Sequence, residues 1–141
     1  MNARKIAGLI KAIQNRLRTK ADADLKEYQL TLVQSQVLSY LYEHGGSAPQ
    51  KDIESFLGVS HPTTSGIIRR LELSGFIRSE NSPDDKRIRI ISMTPLADNI
   101  WTQLENSLAN RENAMLKDLS DLEIQLVGDV LSKIYDNLEE T

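Results

Sequence analysis

No cysteine occurs anywhere in the chain, which excludes disulfide bonds, thiolate metal sites and thiol-based redox sensing together. Histidine is almost as scarce. His44 and His61 alone leave too few ligands for a zinc site, and neither a metal nor another cofactor is expected. Four prolines and seven glycines in 141 residues leave little room for disordered linkers. No apolar run approaches the roughly 18 residues of a membrane span, and no signal-like segment opens the chain, so the expectation is a cytoplasmic protein without a membrane partner. Gly-rich phosphate loops and clustered acid–base residues are also missing. Ser60 and His61 are adjacent but lack an orienting acid, so an enzyme is not expected.

What is present is charge unevenly spread. The net charge of −3 divides into +3 for residues 1–44, +1 for 45–95 and −7 for 96–141. Basic groups therefore avoid the last third and accompany the middle, a modest electrostatic footprint of the kind a nucleic acid requires.

The middle is organised around GVSHPTTSGIIRRLELSGFI, Gly58 to Ile77. Ser60 can cap a helix in which Thr64, Ile67, Ile68 and Leu71 fall at i, i+3, i+4 and i+7 and must be buried together. The opposite arc holds Pro62, Gly66 and Arg69, flanked by Thr63, Ser65 and Arg70. It has no acid and no large apolar residue, and Gly66 costs about 1 kcal/mol relative to alanine. Close approach to a partner compensates such a weak helix, and a DNA major groove accepts one with its N-terminal residues at the base edges. A short helix from Pro49, given a short apolar face by Ile53, Phe56 and Leu57, precedes it, so the pair reads as helix-turn-helix. Gly75 is the expected left-handed stop.

After Gly75 the period changes from helical to alternating. Phe76 to Ser79 and Ile88 to Met93 read as strands of a β-hairpin whose tip is SPDDKR, with Arg87 and Arg89 on one side and Ile88 and Ile90 on the other. Before the central unit, Arg4 to Thr19 forms an amphipathic helix, Ala21 to Gln29 a polar turn or short helical piece, and Thr31 with Gln34 a capping box for a helix ending at Gly45-Gly46. After it, Thr94-Pro95 starts a long helix containing Trp101, and Ser120 with Glu123 starts a last one, striped by Leu126, Val127, Val130, Leu131, Ile134 and Leu138. The apolar surface of these outer helices exceeds what a central unit of this size covers, and a second copy is its simplest partner.

The order of elements, together with LTLVQSQVL (Leu30 to Leu38), QKDIESFLGVSHPTTSGIIRRLELSGFIRS (Gln50 to Ser79) and SPDDKRIRIISMTPLAD (Ser82 to Asp98), resembles the MarR family of winged-helix transcriptional regulators. Asp85 and Arg87 occupy that family's Asp-x-Arg. The resemblance implies a mostly α fold with a small β-hairpin wing: residues 30–94 a winged helix-turn-helix DNA-binding lobe, residues 1–29 and 95–141 a helical dimerisation region. It implies a homodimer on a pseudo-palindrome of double-stranded DNA, a repressor in the simplest case, open to release by a small-molecule effector that no residue here identifies. His61, Pro62, Thr63, Ser65, Gly66 and Arg69 match the positions facing the major groove, and Lys86 and Arg87 those of the wing. Gln50 and Lys51 match positions suited to phosphate contact, and Asp85 would steady the wing by pairing with an arginine such as Arg70. Ala48-Pro49 replaces the family's usual threonine cap, and Ala97 stands where glycine is common. The competing reading is a winged helix used for protein docking, without duplex binding.

Overall fold

The computed structural model describes residues 1–139. It divides into two compact units, Met1–Asn106 and the segment from Ser107 onward. The element order is α1 (Ala3–Glu27), α2 (Leu32–Glu43), β1 (Ser47–Pro49), α3 (Gln50–Leu57), α4 (His61–Leu73), β2 (Ile77–Asn81), β3 (Arg89–Met93), α5 (Pro95–Met115) and α6 (Asp121–Glu139). This is the mostly α, winged helix-turn-helix fold expected. Among the described residues no helix is long and apolar enough to cross a membrane.

Side-chain caps set several helix starts. Thr31 and Gln34 complete the reciprocal capping box of α2, and the Ser60 hydroxyl accepts from the Thr63 amide to begin α4. Pro49 sits one position earlier than a first-turn proline, as the extended residue before α3, with no side-chain cap. Thr94 works at two levels: its hydroxyl accepts from the Ala97 amide at 3.3 Å and donates to the Gly75 carbonyl at 2.6 Å. Gly75 has φ +82°, the left-handed geometry that lets the chain leave α4 and enter β2.

Two expectations change. α1 continues to Glu27 instead of ending near Thr19, because Ala21 and Ala23 propagate helix well and Leu25 is buried. It stops at Gln29, whose φ is +57°, where the Leu30 amide donates back to the Leu25 carbonyl. The wing is not a bare hairpin: β1 adds a third antiparallel strand, in the order β1-β3-β2. Ile91 pairs with Ala48 on one side and Ser79 on the other. Within β3 it is Ile91 and Met93 that enter the core, whereas Arg89, at the wing end of the same side, is exposed, as is Ile88, and Ile90 is half-buried.

The core of the first unit gathers Val37, Leu38 and Leu41 from α2, Ile53 from α3, Ile68 and Leu71 from α4, Ile77 and Ile91 from the sheet and Ala97, Trp101 and Leu104 from α5. Trp101 is a core residue, its ring tilted against Tyr42 at 6.2 Å. In the second unit the Ser120 hydroxyl caps α6 through the Glu123 amide, and no residue of α6 is buried.

Candidate nucleic-acid interface

The amphipathic phase of α4 decides what faces out. Thr64, Ile68 and Leu71 are buried, Ile67 is half-buried, and His61, Pro62, Thr63, Gly66, Arg69 and Arg70 are exposed. Nothing lies within 4 Å of a Cβ built on Gly66. Its small size is therefore unexplained by packing within the protein and leaves the backbone open to a partner. A groove of about 1080 Å³ runs along this face, bounded by α3, α4 and the wing, with Lys51, Arg69, Arg87 and Arg89 on its walls.

Two of the expected contacts are placed differently. Gln50 is only 6% exposed. Its amide nitrogen donates to the Ser65 hydroxyl at 3.0 Å and reaches Glu54 at 3.5 Å. Gln50 therefore ties α3 to α4 and does not present itself to a phosphate, since a buried amide must spend its hydrogens internally. Ser65 is half-buried and engaged in that tie, whereas Lys51 is exposed.

The second change concerns the wing. Asp85 does not pair with Arg70. It accepts from the Arg87 amide at 3.0 Å and from Arg87 Nε and Nη2 at 3.1 Å each. Asp85 to Ile88 is a tight turn closed by the Ile88 amide on the Asp85 carbonyl at 3.0 Å, so the two side chains of Asp-x-Arg emerge together, while Arg70 is carried on another element. The Arg87 side chain remains 89% exposed, with its other guanidinium hydrogens unspent. Lys86, beside it at the turn, is exposed.

The Arg87 guanidinium, and then its amide, hold the Asp85 carboxyl below the usual carboxylate range. A depressed folded-state value means the clamp is fully present above the ordinary aspartate pKa and is lost only as pH falls through the lower, folded one. Carboxyl-detected NMR should therefore show Asp85 titrating below the ordinary aspartate range, with the turn amides of Arg87 and Ile88 moving only then. Titration at the ordinary value would show the clamp open in solution.

Sequence reasoning missed a relay behind the wing. Arg89 Nη2 donates to the Ser79 hydroxyl at 2.8 Å, and Ser79 donates to Glu72 Oε1 at 3.0 Å. This links β3, β2 and α4. The register pairing Ser79 with Ile91 is the signal that would have revealed it, and it depends on the sheet. Glu54, bonded to His61 Nδ1, was missed as well, because the contact crosses the turn at Gly58. Among the described residues no group of acids and histidines could hold a metal.

The MarR family profile matches residues 28–88. YfiV of Bacillus subtilis (strain 168), an uncharacterized HTH-type transcriptional regulator, is 32% identical over 110 residues, covering 78% of this chain and 68% of YfiV. The chain belongs to the MarR family. Another B. subtilis HTH-type regulator, YdcH, is 35% identical over 80 residues, and that match spans 55% of this chain and 54% of YdcH, about half of each. The S. aureus MepR–DNA complex, like this MarR-family chain in fold, has a TM-score of 0.79 at 27% identity, with 94% of this chain and 98% of that one covered.

Proposed function

We propose that this MarR-family chain is a sequence-specific double-stranded DNA-binding transcriptional regulator, most simply a repressor, that acts as a homodimer on a pseudo-palindromic operator in the cytoplasm. The observation that carries the reading is the exposed, small and cationic arc of α4, backed by a buried stripe and flanked by a wing that holds Arg87 outward. A helix of this kind is matched to the major groove, and an arginine on a neighbouring hairpin to the minor groove. His61, Pro62, Thr63, Gly66 and Arg69 are assigned to the major groove, Lys86 and Arg87 to the wing contact, and Lys51 to phosphate. Family resemblance adds release by a small-molecule effector, and residues 1–29 and 95–141 as the dimerisation region.

Duplex selection followed by fluorescence anisotropy across a salt series tests the reading. Affinity should fall with salt at a log–log slope near −0.9 for each neutralised phosphate. Arg69→Ala and Arg87→Ala should each weaken operator binding by about 1–3 kcal/mol, with Arg69→Ala also relaxing specificity at one position per half-site. Salt-independent binding, or none to any selected duplex, would instead favour the protein-docking role. An Arg87→Ala variant as tight as the parent would remove the wing from the mechanism.

A further inference from the structure

The recognition face contains an acid that the reading above does not use. Glu54 projects from α3, and its Oε1 meets His61 Nδ1 at the first residue of α4. The same oxygen receives the Gln50 amide at 3.5 Å, and that amide also donates to Ser65 at 3.0 Å. Ser65, Gln50, Glu54 and His61 thus form one continuous chain of hydrogen bonds. It ties two positions of the reading helix to the helix behind it. The His61 side chain is 72% exposed and that of Glu54 21%, so the acid is sheltered and the ring is presented.

We propose that Glu54 is a positioning residue that fixes which ring atom His61 shows to DNA, and thereby which bases it reads. A carboxylate only accepts hydrogen bonds, so the ring hydrogen must sit on Nδ1. In the neutral ring Nε2, which points away from Glu54 on a side chain that is 72% exposed, is then left bare as an acceptor. In the major groove an acceptor is satisfied by the adenine N6 or cytosine N4 amino group and not by guanine or thymine. Arg69 on the same face can only donate, so His61 contributes the opposite sense of readout. Glu54 has a second effect. Its charge lies beside the face proposed to meet phosphates, so it weakens binding to every duplex, and only where His61 finds its base partner is that loss offset.

The inference rests on the DNA-binding reading, and its test separates the two. The full-length parent, His61→Ala, Glu54→Ala and Glu54→Gln would each be taken through selection from randomised duplexes at pH 8, with affinities for one operator and one random duplex measured by anisotropy. The parent should prefer adenine or cytosine at one position per half-site. His61→Ala should lose that preference, about three- to tenfold for one hydrogen bond. Glu54→Ala should lose the same preference while its affinity for random duplex rises about twofold, as expected for removal of one anion near the phosphates. Glu54→Gln keeps an oxygen for Nδ1 and should retain the base preference. Glu54→Ala with the parent's preference overturns the inference and leaves DNA binding standing, as does an equal loss on every duplex, the mark of a merely structural residue. A parent that binds no duplex overturns both.

Discussion

Glutamate at Leu131 should leave the purified protein a monomer and raise the Kd for its operator by about 10²–10⁴-fold, the advantage that joining two lobes confers. Leu126, Val127, Val130 and Leu131 form one stripe of α6 at helical spacing, and their exposure runs from 45 to 52%. On α1, Ile6, Leu9, Ile10, Ile13 and Leu17 form another stripe, 38–53% exposed. Contiguous apolar faces of this size are uncommon on monomeric proteins, and in the homodimer proposed above they are the surface that a second copy covers. A carboxylate forced into such a contact must be desolvated without a partner, which the proposed dimer would not tolerate. The lone chain loses little, since Leu131 is already half in water. Sedimentation and circular dichroism distinguish the outcomes: a helical monomer is expected, and a helical dimer with parental affinity would take α6 out of the assembly.

The second large effect is on stability. Leu71→Ala should cost about 2–5 kcal/mol in urea unfolding, the range for emptying a packed leucine site. Leu71 is 0% exposed, on the inner stripe of α4 with Ile68 and Thr64, and its carbonyl accepts the Phe76 amide where the chain turns into the wing. Leu73, two residues on, gives the contrast. At 78% exposure it should tolerate alanine within about 0.5 kcal/mol. Equal costs at the two positions would mean that α4 is rotated from the phase described, and with it every assignment on the recognition face.

That phase was legible in the sequence because it is a local property. The Ser60 cap, the Thr31 and Gln34 box, the left-handed Gly75 and the spacing of Thr64, Ile68 and Leu71 involve residues a few positions apart, and the structure contains each of them. What the sequence hid depends on neighbours brought together by folding. β1 is three residues ending in proline, too short to announce itself, and exists because β3 offers an edge. Gln50 resembles a surface donor until Ser65 is placed opposite it. Asp85 is the instructive case. Its partner stood two residues away, inside the same motif, but a pairing across such a short interval requires the turn that carries it.

The sheet order assigns the hairpin its mechanics. β3 is flanked by β1 and β2, so the root of the wing is held along both edges, whereas the segment from Ser82 to Arg87 depends on its own turn and one closing bond from the Ser82 amide to the Ile88 carbonyl. The wing is a stiff lever with a replaceable nib. Recharging Pro83, Asp84 or Lys86, outside the Asp85–Arg87 clamp, would change what the lever meets without loosening its mount, so on the DNA-binding reading proposed above the choice of operator is open to retuning at the tip at little cost to the domain's stability.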